Sequence, residues 1–227
     1  MGQAISVDLG KMEYRRCWDL QKAVWARRVA GEVPDTLLFV EHDPVLTHGS
    51  AFDPANLLLT KEGYAQKGID LVQTDRGGDV TYHGPKQLVV YPIFDLKDHG
   101  ADLHKWLRDL EQAMIEAVGE FGLEGYRFPP HTGVWVNGRK IAAIGIKVSR
   151  WISLHGIALN CDNDLSPFDL IIPCGITGYG VTSLSRETGR EVMIRDATPA
   201  VLASFSKVFG MTLERRDLEG LEIAAKA

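Results

Sequence analysis

Apolar positions recur along the chain in two rhythms, one near every third or fourth residue and one at every second. Ile5-Ser6-Val7-Asp8-Leu9 alternates and predicts a first strand. Residues 12–30 predict an amphipathic helix, with Tyr14, Cys17, Leu20 and Val24 on one face and Arg15, Arg16, Lys22, Arg27 and Arg28 on the other. Leu37 to Val40 predicts a strand, and Ile69 to Gln73 an extended run feeding a glycine-rich turn at 76–78. Leu88 to Phe94 barely alternates, which suits a strand buried on both faces.

Residues 101–121 carry the clearest helical stripe, with Leu103, Trp106, Leu107, Leu110, Met114, Val118 and Phe121 at steps of three and four. Val134 to Val136 and Arg139 to Ala142 flank Asn137-Gly138, a strong hairpin signal, and Leu154 to Asn160 should extend that sheet. Thr198-Pro199 is expected to open a last helix through Val201, Leu202, Phe205 and Phe209. The fold class is therefore α+β, a mixed or antiparallel β-sheet with packed helices. One domain is expected over residues 1–212, with a polar tail at 213–227 expected to fray.

Composition narrows the function classes. The chain has 227 residues, 45% hydrophobic and 24% charged, enough to bury a full core without disulfide staples. Asp and Glu exceed Lys and Arg by 30 to 25, so no overall basic excess points to nucleic acid. No stretch approaches the roughly 18 apolar residues of a membrane helix, and the start lacks a signal-peptide pattern. Met1-Gly2-Gln3-Ala4-Ile5-Ser6 fits a loose myristoylation pattern, but Ile5-Ser6-Val7-Asp8-Leu9 reads equally well as the first strand. Three cysteines, at 17, 161 and 174, form no disulfide framework, so a reducing, cytoplasmic setting is expected. No His-Glu-x-x-His or Cys-x-x-Cys occurs, and no metal is expected.

Candidate chemistry gathers at three places. Cys17 lies on a helical apolar stripe, and Cys161 adjoins Asp162, which would oppose a thiolate. Cys174 lies between Pro173 and Gly175, where an apolar run gives way to small residues. Such a thiol reads either as a buried structural residue or as an accessible nucleophile. A nucleophilic thiol needs a cation or a base, because its unperturbed pKa is about 8.5. Lys140 follows the hairpin turn and by alternation shares a face with Ala142 and Ile144; it reads either as a strand-end lysine reaching solvent or as a paired charge. Arg76-Gly77-Gly78 brings backbone N–H groups near a ligand, with the arginine available to an oxygen and Tyr82-His83 close behind. His155, inside an apolar strand, reads first as a hydrogen-bonded core residue.

Taken together, these segments resemble the lipoyl(octanoyl)transferase family. The motifs are Arg76-Gly77-Gly78-x-x-Thr81-Tyr82-His83-Gly84-Pro85, Gly138-Arg139-Lys140-Ile141-Ala142-Ala143-Ile144-Gly145, Leu154-His155-Gly156-x-Ala158-Leu159-Asn160, Leu165-Ser166-Pro167-Phe168 and Ile172-Pro173-Cys174-Gly175. Two positions depart from the pattern: Lys86, where the family usually has glycine, and Ser50, where a longer polar residue is common.

The resemblance implies the biotin/lipoate protein ligase fold and a Cys/Lys dyad. Cys174 would be the acyl-thioester nucleophile and Lys140 the group that lowers its pKa. Arg76, Gly77, Gly78, Asp79, Val80, Thr81, Tyr82 and His83 would line the acyl site. Ala143, Ile144 and Gly145, with His155, Gly156 and Ile157, would complete it, and Asn160 would stand behind them. The implied donor is octanoyl-[acyl-carrier protein], and the implied acceptors are lipoyl domains of 2-oxoacid dehydrogenase complexes and glycine cleavage H protein. No cofactor, membrane or nucleic acid is implied. Acidic partners would need a local basic patch, with the 15–28 helix face or Arg139, Lys147 and Arg150 as candidates. Three alternatives remain: an ATP-dependent lipoate or biotin ligase, an octanoyl amidotransferase between lipoyl-type proteins, and a catalytically dead carrier-protein scaffold.

Overall fold

Two adjacent strands with side chains buried on both faces fix the centre of the architecture. They are Asp35–Glu41 and Gln87–Ile93, paired antiparallel. On one face Leu37, Phe39, Leu88 and Val90 enter the larger core; on the other Leu38, Val40, Val89 and Tyr91 enter a second one. The computed structural model describes residues 2–172 and 179–218.

In chain order the strands are β1 Gly2–Lys11, β2 Asp35–Glu41, β3 Val45–His48, β4 Asp70–Gln73, β5 Val80–His83 and β6 Gln87–Ile93. They continue with β7 Tyr126–Phe128, β8 His131–Val136, β9 Arg139–Ser149, β10 Ile152–Asn160 and β11 Met211–Arg216. The helices are α1 Tyr14–Val29, α2 Lys61–Gln66, α3 Leu103–Gly119, α4 Leu184–Thr188 and α5 Ile194–Phe209. Among the described residues one sheet runs β11-β1-β2-β6-β10-β9-β8-β7 and a smaller one β4-β3-β5. β1 pairs parallel with both neighbours, and the rest of the large sheet is antiparallel. The α+β class with a mixed sheet is thus the observed one.

Helices α3 and α5 cover the face that carries the larger core, through Trp106, Leu110, Met114, Val118, Val201 and Phe205. Asp102 starts α3 by accepting hydrogen bonds from the His104 and Lys105 amides, each at about 3 Å. Leu103, the first residue of the expected stripe, stays exposed. α1 covers the opposite face with Cys17 and Val24, joined there by Gln21 rather than a fully buried Leu20.

Two boundaries differ from expectation. α5 begins at Ile194, four residues before Thr198, because the Asp196 carboxylate accepts from the Met193 amide at 2.9 Å and starts the helix earlier. Pro199 therefore lies inside the helix rather than at its first turn. The tail expected from residue 213 is shortened, since β11 pairs in parallel with β1 from Met211 through Arg216. Backbone pairing at a sheet edge leaves Glu214, Arg215 and Arg216 exposed, so their polarity hides the strand.

The basic face of α1 is largely neutralised. Arg15 pairs with Asp70, Lys22 with Asp19 and Arg27 with Glu32, while Arg28 meets Asp35 and Asp98. Arg139 and Lys147 are likewise paired, with Glu187 and Asp75. Among the described residues no helix is long and apolar enough to cross a membrane.

Candidate active site

Small residues on β9 and β10 hollow the sheet beneath the small sheet and α1. Ala143 pairs with Ala158 and Gly145 with Gly156, and these four residues line a cavity. Gly156 has no room for a side chain, because a Cβ there would run into the Val90 carbonyl and the Pro92 ring. Above this floor stand Gly77, Gly78, Thr81 and His83. The lining is mostly apolar, as an acyl chain requires.

A second cavity adjoins the first, sharing Thr81, Ala143 and Ala158 with it. Lys140 belongs to this one, with Gln87, Trp135, Asn160 and Phe168. Only 9% of Lys140 is exposed, its Nζ lies 5.2 Å from the centre of the Trp135 ring, and its backbone N–H and C=O bond Gly180 and Thr182. The alternation that put Lys140 on the face of Ala142 and Ile144 fails, because a β-bulge intervenes. Trp135 pairs with Lys140 and Val134 with Ala142, leaving Ile141 extra. Ile141 and Ala142 both enter the larger core, and Lys140 turns to the opposite face with Ala143.

Each sequence-predicted residue can now be placed. Arg76, Gly77, Gly78, Thr81 and His83 line the first cavity, as do Ala143, Ile144, Gly145, His155, Gly156 and Ile157. Asp79, Val80 and Tyr82 do not. Val80 and Tyr82 point into the core of the small sheet, by strict alternation along β5, and Tyr82 meets Phe168 edge-on. Asp79 pins the loop, accepting from the Val80 and Asp53 amides and from the Asn56 side chain. Arg76 also braces the loop from within. Its guanidinium donates to the carbonyls of Thr47, Gly77 and Asp79 at 2.6–3.0 Å. Cys174 lies outside the described residues.

Asn160 joins a buried chain of amides. Gln87 Nε2 donates to Asn160 Oδ1 at 2.9 Å, Gln87 Oε1 meets His83 Nδ1 at 2.9 Å, and Asn160 Nδ2 donates to the Thr182 carbonyl. Gln87 was missed in the sequence, although it lies directly across the ladder from Asn160. Also missed were Tyr14, Val89, Tyr91 and Ala158, all on the first cavity. Tyr14 stacks on His83 at 5.9 Å, and His42 bonds the Tyr91 hydroxyl at 2.8 Å. No local motif marks these residues, because only the crossing of α1 over the sheet brings them together.

Lys86, the departure from the glycine pattern, holds φ +65°, a left-handed conformation that glycine adopts freely. Its ammonium pairs with Asp162 at 2.6 Å and its amide donates to Glu41.

Burial governs the imidazoles here. It pushes His42 down to about 4, and with help from neighbouring His42 it pushes His83 down to about 3. Both are neutral in the folded protein at neutral pH. Below pH 6.5 the unfolded chain takes up protons that these two folded residues refuse, so stability falls as the pH drops toward 4. At pH 5 the loss should be about 2 kcal/mol for each histidine. Denaturant midpoints at pH 7 and pH 5 check this: the drop should be smaller in His42→Gln, and an equal drop in the variant would contradict it.

This geometry, an apolar trough beside a cavity that holds a buried lysine, belongs to a fold that also occurs in solved ligases. Lipoate-protein ligase A bound with ATP superposes with a TM-score of 0.79 at 16% identity, over 95% of this chain and 89% of that one. Biotin protein ligase from Aquifex aeolicus, in complex with biotin and ATP, gives 0.57 at 14% identity, over 92% of this chain and 71% of that one. The fold is that of the biotin/lipoate protein ligases. The model of the lipoyl protein ligase A/B catalytic domain matches residues 13–206, and the chain belongs to that family. The octanoyltransferase of Rubrobacter xylanophilus is 50% identical over 203 residues, covering 88% of this chain and 91% of its own. That of Gloeobacter violaceus is 44% identical over 220 residues, covering 96% of each.

Proposed function

We propose that the protein is an acyltransferase that moves an octanoyl group through a Cys174 thioester to a lysine of a lipoyl-type protein, a step of lipoate biosynthesis. The donor is octanoyl-[acyl-carrier protein]; the acceptors are lipoyl domains of 2-oxoacid dehydrogenase complexes and glycine cleavage H protein. The observation that carries this reading is the buried Lys140 in a cavity sharing three wall residues with the mostly apolar trough. Octanoyltransferases at 44–50% identity support the acyl group. The described chain resumes at Tyr179, and Tyr179, Gly180 and Val181 line the lysine's own cavity. Five chain steps, at most roughly 18 Å, separate Tyr179 from Cys174, a span that allows the sulfur to meet Lys140.

The chemistry balances without an energy source. The Cys174 thiolate attacks the donor's carbonyl carbon, a new C–S bond forms as the donor's C–S bond breaks, and the carrier's sulfur takes a proton from the Lys140 ammonium to leave as a thiol. The acceptor amine then attacks the enzyme thioester, an amide C–N bond forms, and the Cys174 thiolate leaves. Lys140, as ammonium, stabilises the thiolate; once neutral it takes the proton the amine sheds. Thioester exchange is nearly isoenergetic and amide formation from a thioester is downhill.

Intact-protein mass spectrometry tests this. Incubation with octanoyl-[acyl-carrier protein] and no ATP should add one octanoyl group, on Cys174, discharged when lipoyl domain is added. Modification of the acceptor from octanoate plus ATP, with none from the thioester donor, would sink the proposal in favour of a ligase.

A further inference from the structure

The trough runs along β9 away from Lys140, and one strap crosses it there. Residues 75–78 cross over β9, where the Gly77 amide donates to the Ile146 carbonyl at 2.8 Å. Gly145 lies directly beneath the crossing: a Cβ there would sit 3.2 Å from both Arg76 Cδ and the Gly77 carbonyl oxygen. One carboxylate holds the strap down. Asp75 meets Lys147 Nζ of β9 at 2.5 Å and His155 Nε2 of β10 at 2.7 Å, so it bridges both strands that form the floor. Lys147 pairs with Leu154, one same-face row beyond the Gly145–Gly156 pair that ends the glycine floor. His155 is 1% exposed and holds φ +58°, a strained conformation for a residue with a side chain.

Burial of methylenes always favours the longer chain. Two extra methylenes would be preferred by roughly fifteenfold if the trough were open-ended. A site that stops at eight carbons needs a rigid wall. Resting on the octanoyl-transfer reading above, we propose that the 76–78 strap, held down by the Asp75 bridge to Lys147 and His155, is that wall, and that it sets the upper limit on acyl length. Asp75 and Lys147 act as positioning residues, since both work by holding the strap. The region around Lys140 lies at the other end of the trough and plays no part in the limit.

The test compares wild type with Asp75→Ala, Lys147→Met and Asp75→Glu, using octanoyl and dodecanoyl thioesters of acyl-carrier protein. In Asp75→Ala and Lys147→Met the dodecanoyl-to-octanoyl ratio of kcat/KM should rise at least tenfold, with Asp75→Glu closer to wild type. A merely structural role would lower both rates together and leave the ratio unmoved, and that result would overturn the proposal. Calorimetric binding of free octanoate and dodecanoate reads the same ratio without any chemistry. A wild type that binds octanoate but transfers nothing would refute the transferase reading, and the binding ratio would still judge the wall. If Asp75→Ala does not fold, Lys147→Met keeps the alkyl stem and decides alone.

Discussion

A Cys174→Ala protein should lose octanoyl transfer by at least a thousandfold, measured as amide formed on a lipoyl domain in a single turnover. Without the sulfur, the acceptor lysine would have to attack the donor thioester directly. Donor and acceptor proteins would then need to occupy one trough mouth together, and the two-step route exists to avoid that. The other cysteines cannot stand in. Cys17 and Cys161 are fully buried, and burial pushes both thiols up to about 12, so neither is a thiolate at neutral pH. Alkylation by iodoacetamide should accordingly stop the enzyme by labelling Cys174 alone, and Cys17→Ala should still form the octanoyl-enzyme. Retention of more than a tenth of wild-type transfer in Cys174→Ala would remove the covalent intermediate from the mechanism.

The sequence reads well where the local pattern and the tertiary environment agree. β6 lacks alternation and is buried on both faces; Asn137-Gly138 joins β8 to β9 as a tight hairpin; the stripe from Trp106 to Val118 faces the core. It misleads where one residue breaks the rhythm. The extra Ile141 reverses which face Lys140 occupies, and nothing in the local pattern distinguishes a bulge from a continuous strand. Long-range assembly is equally silent. Tyr14 and Tyr91 come from elements far apart in the chain, and Asp75, next to a motif that draws attention to Arg76, is the residue that ties its loop to both β9 and β10. Arg76 shows the converse. A cation beside two glycines suggests an anion site, yet this one also donates to the carbonyls of Gly77 and Asp79 in its own loop and of Thr47 on β3.

Lys140→Met should separate the two roles of the lysine. Methionine keeps an unbranched stem beside Trp135, where the Lys140 ammonium sits 5.2 Å from the ring, and removes only the charge and the exchangeable proton. A cation near the sulfur favours the thiolate, so it lowers the thiol pKa; removing it must raise that pKa toward the unperturbed value of about 8.5. The rate of Cys174 alkylation against pH should therefore inflect at higher pH in the variant than in wild type. Transfer at neutral pH should fall by about 10²–10⁴, the range expected when a positioned proton acceptor is lost. The two effects part as the pH rises. Above the variant's thiol pKa the sulfur is ionised without help, so formation of the octanoyl-enzyme recovers. Its discharge onto the lipoyl lysine stays slow, because the amine still lacks a group to take its proton, and acylated enzyme should accumulate. An alkylation profile that superimposes on wild type would show that the charge of Lys140 does not act on the sulfur, whatever happens to the overall rate.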